Sequence, residues 1–518
     1  MLARCSGAAL VGLEAVEVAV EVDIAPGLPG LQIVGLADAA VQESRERVRA
    51  ALRNSGLRPP LTRVVVSLAP ADLRKQGPAF DLPIALAVLA ASGQLNPALL
   101  QGIWCAGELG LGGALRPVRG ALSLALAARH HGARALLLPA ANGAEAALVE
   151  GLPVWPAEAL GEALALLRCP PTGMAPRLQG HPHSAGPAMA PSDNGRDLAE
   201  VQGQPHGRRA LEIAATGQHH LLLVGPPGSG KTLLARCLPS LLPPLLADEQ
   251  LELTQLYSVA GLLPQAHGLI RQRPFRCPHH SCSAAALAGG GSCLRPGELS
   301  LAHRGVLFLD ELAEFRRDVL NQLRQPLEQG ELWLSRARQR LRFPCAVTLV
   351  AATNPCPCGW AGDPDHPCRC STSERLRYWG RLAGPLLDRI DLQVVMRRPA
   401  ASQLRPGLEH PNPAAEGSAE VAERIAAARR RMQQRNPDGL ANGGLSSRQL
   451  GHCGRLSDAT LQLWQQAVEQ RSLSARAAER LLRVARTIAD LDDQADVEPS
   501  ALAEALSYRS FDQPPQGL

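Results

Sequence analysis

The stretch LLLVGPPGSGKTLLARCL restricts the possible folds of this chain more than any other segment. Gly225, Pro226, Pro227, Gly228, Ser229, Gly230, Lys231 and Thr232 spell G-x-x-x-x-G-K-T directly after the apolar run at 221 to 224 and before a helical pattern. A glycine loop between a buried strand and a helix is a P-loop in its required context. Its glycines let backbone N–H groups close around phosphates, Lys231 reaches the β and γ oxygens, and the Thr232 hydroxyl ligates Mg²⁺. The motif therefore implies a nucleoside triphosphate with Mg²⁺, and the surrounding architecture is expected to be an α/β core.

Three further strand ends carry polar groups suited to that core. GVLFLDE ends in Asp310, placed to hold Mg²⁺ at second shell, and Glu311, placed to polarise an attacking water as general base. Alone, two acids at a strand end read equally as a solvated terminus; with the P-loop they gain meaning. AVTLVAATN ends in Asn354, where a neighbouring strand reaches the γ-phosphate. In GPLLDRIDLQV, Arg389 has two readings: an ion pair with Asp388 or Asp391, or an arginine finger stabilising transition-state charge in an adjacent subunit. Arg476, in SLSARAAERLLRVARTIADL, lies on an amphipathic helix, either as a surface arginine or as a lid residue of the same site.

At 518 residues the chain must divide into several domains. Val16, Val18, Val20 and Val22 alternate with polar or small residues as in a half-buried strand. LQIVGLADAAVQESRERVRAALRNSG then reads as a strand and a helix capped by Asp38 and ended by Gly56, RVVVSLAP as a strand, and FDLPIALAVLAASGQL as a buried helix. These make an α+β domain over 1–168. Residues 169–196, rich in Pro, Gly, Ser and Ala, form a linker. The α/β core follows over 197–398, a second Pro-rich linker over 399–416, and a helical domain over 417–518. A net charge of +5 is too mild for a global attraction to nucleic acid, so any such contact must be local. No signal peptide is evident and no 18-residue apolar run occurs; the expectation is a cytoplasmic protein with no membrane partner.

Two local patterns add chemistry. ELWLSRARQRLRFP reads as a β-hairpin that presents Arg336, Arg338, Arg340 and Arg342, at every second residue, either to solvent or to a phosphate backbone. NPCPCGWAGDPDHPCRC gathers Cys356, Cys358, Cys368 and Cys370, four of the thirteen cysteines. Two C-x-C pairs joined by a Gly/Pro/Asp-rich loop suit a closed tetrahedral Zn²⁺ site of structural type. Disulfides are the competing account, opposed by cytoplasmic reductants and by strain within each C-x-C pair; iron or a plain reduced loop also remains open.

The order of RPFRCPHHSCS, GGGSCLRPGELSLAHRGVLFLDEL, AATNPCPCG and GPLLDRIDL resembles the magnesium-chelatase-like AAA+ family known as YifB or ComM, over nearly the whole chain. The resemblance implies a Lon-protease-like α+β N-terminal domain, an AAA+ P-loop core carrying the four-cysteine insertion at 356–370, and a helical C-terminal lid. It further implies a hexameric ring, single-stranded or branched DNA as partner, and branch-migration helicase activity in natural transformation. Carried over residue by residue, it assigns Lys231 and Thr232 to the P-loop, Asp310 and Glu311 to the Walker B strand, Asn354 to sensor 1, Arg389 to the finger and Arg476 to sensor 2. Arg304, where relatives usually have Asn, and Cys277, where they have Ala, depart from the pattern without removing a catalytic group.

In the Lon-like domain Ala79 stands at the serine position of GPAFD and Leu122 at the lysine position. Neither side chain supports a Ser–Lys mechanism, and Ser123 on an Ala/Leu helix reads as a tolerated residue. The domain is expected to bind or assemble. Two other readings stand beside a DNA motor: a chelatase-type ATPase for metal insertion, and an ATP-dependent protease, which Ala79 and Leu122 disfavour.

Overall fold

Alternating valines in the opening residues need a sheet to bury them, and a seven-stranded sheet does so in the computed structural model. The structure describes residues 2–170, 196–263, 268–291, 294–336, 339–382, 386–399 and 416–511. They form two compact units.

The first unit comprises the described parts of Met1–Met189, Ala247–Ile270 and Ser335–Arg342. Its strands are β1 (Leu2–Val11), β2 (Glu14–Ala25), β3 (Gly30–Val34), β4 (Arg63–Ala69), β5 (Ile103–Cys105), β6 (Ala135–Pro139) and β7 (Val154–Ala157), in the order β3-β4-β2-β1-β5-β6-β7. Val18, Val20 and Val22 of β2 are buried as the alternation predicts, while Val16 is exposed near the strand's start. Asp38 accepts a hydrogen bond from the Val41 N–H at 2.9 Å and caps the short helix Ala39–Gln42. The helix Asp81–Ala91 is buried on every side, as its continuous apolar run requires.

This unit is not continuous in sequence. The helix Ala247–Ala260 follows the P-loop helix in the chain, yet Gln255 donates to the Leu13 carbonyl at 2.7 Å and Gly120 N–H donates to the Ser258 carbonyl at 3.2 Å. Its partners are helix Ala121–His130 and the turn after β1, over 100 residues away in the chain, so no local pattern marks the association.

The second unit is built on a five-stranded parallel sheet. Its strands are β8 (Leu221–Val224), β9 (Phe275–Arg276), β10 (Val306–Leu309), β13 (Thr348–Thr353) and β14 (Leu392–Val395), in the order β9-β10-β13-β8-β14. Strands β11 (Glu331–Arg336) and β12 (Gln339–Pro344) pair as the expected hairpin. All residues of β8, β10 and β13 are buried, as in a parallel sheet covered on both faces. Arg304, just before β10, has φ of +59°, a left-handed position that Asn tolerates better than Arg.

Helices Ser418–Arg435 and Ala475–Leu491 belong to the helical C-terminal region. Val421, Ile425, Leu481, Val484 and Ile488 share one hydrophobic cluster with Leu211, Leu234 and Val394 of the core. The architecture is thus the expected α/β core with a helical C-terminal part. No described helix is long and apolar enough to cross a membrane.

Candidate nucleotide site and four-cysteine loop

Parallel α/β sheets bind ligands at the carboxyl ends of their strands, where neighbouring connections diverge. Strand β8 lies between β13 and β14, and its carboxyl end leads into the glycine loop. Gly228 and Gly230 have φ of +77° and +85°, conformations that favour glycine. A Cβ on Gly225 would lie 2.5 Å from the Met396 carbonyl oxygen, so that position also requires a missing side chain. Gly230 precedes the helix Lys231–Leu241, whose first N–H groups and dipole point into the loop.

Lys231 and Thr232 connect this loop to two neighbouring strands. Lys231 Nζ donates to the carbonyls of Gly225 at 2.7 Å and Pro226 at 3.0 Å, and to Asn354 Oδ1 at 3.2 Å. Burial pushes its ammonium pKa down, and Asp310 opposes that shift. Thr232 Oγ1 donates to Asp310 Oδ2 at 2.9 Å. A hydroxyl and a carboxylate oxygen in contact at a phosphate loop are hard donors that fit Mg²⁺ with its waters.

Glu311 follows with φ of +52° and donates its N–H to Asp310 Oδ1 at 3.0 Å. Its own Oε2 lies 3.0 Å from His280 Nδ1. His280 lies four residues beyond β9, the strand beside β10, and its ring packs edge-on near Phe315. The stretch RPFRCPHHSCS by itself gives this histidine no role. The available signal was a polar residue shortly after the strand next to the one ending in Asp310.

The two arginines meet elsewhere. Arg389 is buried, donating from Nε to the Arg324 carbonyl at 2.9 Å and pairing through Nη2 with Glu328 at 2.8 Å. Arg476 is two-thirds exposed and approaches the same Glu328 oxygen at 3.7 Å. Asp391, one of the two partners considered for Arg389, instead pairs with Arg480 at 2.7 Å and accepts from the His220 N–H at 3.0 Å. Burial works against the Asp391 carboxylate, but Arg480 and His219 hold its pKa well below the usual range.

Cys356, Cys358, Cys368 and Cys370 converge with all four sulfurs within 4.8 Å of one another. Cys356 Sγ lies 3.3 Å from Cys358 and 3.6 Å from Cys368, and Cys358 lies 3.6 Å from Cys368. Four thiolates at ~2.3 Å from one Zn²⁺ would stand ~3.8 Å apart, so the cluster is close to that tetrahedron and unlike bonded disulfides. Burial pushes the Cys356 thiol up to about 12, while Cys358 is drawn down to about 6 against its own burial by the N–H groups of Trp360 and Arg369.

Of the hairpin arginines, Arg340 and Arg342 are exposed while Leu341 and Phe343 between and beside them are buried. Arg338 lies outside the described residues, as does the side chain of Arg336. In the first unit, Leu122 is fully buried, and Ser123 Oγ is buried and donates to the Leu13 carbonyl at 2.6 Å. That hydroxyl is a satisfied structural group.

Residues 197–404 match the family described as magnesium chelatase, subunit ChlI. Residues 20–142 match subunit ChlI of Mg-chelatase, and 415–509 its C-terminal region. An uncharacterized protein of Mycobacterium tuberculosis is 44% identical, covering 98% of this chain and 98% of its own length. The uncharacterized protein YifB of Escherichia coli is 42% identical over 97% of this chain and 96% of its own. Competence protein ComM of Haemophilus influenzae is 41% identical with the same coverage, 97% and 96%. The chain belongs to the YifB/ComM family of magnesium-chelatase-like AAA+ ATPases. Membership in the YifB/ComM family implies ATP and Mg²⁺ as cofactors.

Proposed function

We propose that this YifB/ComM-family chain is a cytoplasmic hexameric motor that uses ATP to move single-stranded or branched DNA. Branch migration supporting the integration of incoming DNA, in natural transformation or recombination, is the activity its family resemblance favours. The observation that carries the ATPase part is the hydrogen-bonded group of Lys231, Thr232, Asp310 and Asn354 at the carboxyl ends of three adjacent strands. Lys231 and the loop N–H groups hold the phosphates. Thr232 and Asp310 would hold Mg²⁺, which when bound would neutralise charge on the phosphate oxygens. Glu311 takes a proton from water as the water oxygen bonds to the γ-phosphorus, and the bond to the β–γ bridging oxygen breaks to release ADP. His280 orients that carboxylate. Arg389, together with Arg476 of the lid at the same Glu328 carboxylate, completes the site of a neighbouring subunit.

The DNA part rests on the hairpin, whose exposed Arg340 and Arg342 share one side of a strand with a buried opposite side. Gel-shift and strand-displacement assays on forked and four-way DNA test it. ATP-dependent displacement, lost in Lys231→Ala, is expected; no binding or displacement at any ATP concentration overturns the DNA reading. ATP-stimulated peptide cleavage would instead revive a protease, against the buried Ser123 and Leu122. Each phosphate neutralised on a single strand contributes about −0.7 to the log–log salt slope. Replacing Arg340 and Arg342 with alanine is therefore expected to flatten that slope by about 1.4 and weaken all sequences alike. An unchanged slope removes the hairpin from the DNA path.

The four cysteines are proposed to hold one structural Zn²⁺. Elemental analysis of protein purified without chelator or metal-affinity resin is expected to find close to one zinc per chain, lost in Cys356→Ser/Cys368→Ser. A metal-free, fully active chain counts against the site. The first unit is proposed as a binding or assembly module.

A further inference from the structure

The cysteine loop touches the nucleotide site at two points. Asn354, whose Oδ1 accepts from Lys231 at 3.2 Å, lies two residues before Cys356. On the other side of Cys358, Gly359 abuts the P-loop itself: a Cβ built there would lie 2.8 Å from Pro227 Cδ and 3.1 Å from Pro227 Cγ. Gly359 also has φ of +86°. The arc from 354 to 359 therefore runs from the end of β13 to the glycine loop, with Cys356 and Cys358 inside it. Its base is fixed by Trp379 Nε1 donating to the Pro355 carbonyl at 3.0 Å. At its far side Trp360 stacks on His366 at 4.3 Å, with Arg398 over the same ring at 5.7 Å.

We propose that this arc is a wedge that sets the shape of the P-loop through Gly359 and Pro227, so that metal binding by the four thiols and nucleotide binding at Lys231 are thermodynamically linked. The inference rests on the readings of the thiols as a metal site and of the P-loop as the nucleotide site. Four thiolates on one ion fix the positions of Cys356 and Cys358 and hence the backbone between them and at Gly359. Without the ion, the four thiols are free to separate, and the surface against which Pro227 rests can move. An interaction that makes one ligand favour the arrangement another needs works equally in both directions. Metal tightens nucleotide binding, and nucleotide tightens metal binding by the same factor. Gly359 is a positioning residue in this scheme, since it acts on the phosphate loop through Pro227.

Two measurements test it on the full chain. In the first, the affinity of the purified protein for zinc is measured by equilibrium competition with 4-(2-pyridylazo)resorcinol, with and without MgADP. Zinc affinity is expected to rise several-fold with nucleotide, and the effect to vanish in Lys231→Ala. A zinc affinity indifferent to saturating MgADP overturns the linkage, as does a chain purified without metal. In the second, Gly359→Ala is compared with wild type for zinc content and for affinity toward a fluorescent ADP analogue. The added methyl forces a shift at a closely packed contact and at a left-handed backbone position, and about a tenfold weaker affinity is expected with zinc retained. Pro227→Ala, which removes the two contacted atoms, is expected to recover part of the loss when combined with Gly359→Ala, relative to Pro227→Ala alone. Unchanged affinity in a zinc-loaded Gly359→Ala protein overturns the wedge. Failure of Lys231→Ala to weaken analogue binding is a different result and sinks the nucleotide-site reading itself.

Discussion

Arg389→Ala is expected to lower ATP turnover by about 10³- to 10⁵-fold while ATP still binds, the range for loss of an arginine that stabilises phosphoryl-transfer charge. Within one chain this guanidinium lies against the Arg324 carbonyl and Glu328, with Arg476 at the same carboxylate. A finger held this way serves a neighbouring subunit only if the surface carrying Glu328 faces that neighbour's phosphates. Mixing Arg389→Ala with Lys231→Ala protein separates the two possibilities. At half-mutant interfaces an intact P-loop meets an intact Arg389, so turnover should partly return. If verified mixed rings stay inactive, Arg389 serves its own chain, where its ion pair with Glu328 is structural. Glu328→Gln gives the companion measurement: a structural pair predicts a lower thermal midpoint in both variants with turnover of Glu328→Gln retained.

Glu311→Gln is expected to keep ATP bound and to cut the chemical step by about 10²- to 10⁴-fold, as loss of a general base implies. Lys231→Ala should instead abolish binding, since its ammonium is the group reaching from the loop carbonyls to Asn354. A radiolabelled-ATP binding assay run beside single-turnover hydrolysis distinguishes loss of binding from loss of chemistry. Normal hydrolysis by Glu311→Gln would remove Glu311 from the base role. His280, 3.0 Å from the Glu311 carboxylate, adds a second handle. His280→Ala should lower kcat with little change in KM if it orients the base.

The elements carrying the candidate site were legible because each depends on neighbours in sequence. A strand, glycine turn and helix over 221–241 follow from apolar burial and left-handed backbone needs, and the structure has them there. The alternation of arginines with Leu341 and Phe343 made a hairpin legible in the same way. Pairings between distant residues were not. Sequence proximity offers Arg389 the carboxylates of Asp388 and Asp391, yet it pairs with Glu328 because the helix Arg324–Gln329 crosses nearby. His280 gained a partner only once β9 was paired beside β10.

Sequence alone determined the family, the α/β core, the strand, glycine turn and helix of the P-loop and the presence of four neighbouring thiols, since each is a pattern of residue type and spacing. Tertiary structure decided which distant groups share a site. It placed Ala247–Ala260 with the first unit, brought Arg389 and Arg476 to one carboxylate, and set Gly359 against Pro227. Those contacts depend on how strands and helices pack after they form. Side-chain periodicity reports which face of an element is buried, but carries no record of what lies against it.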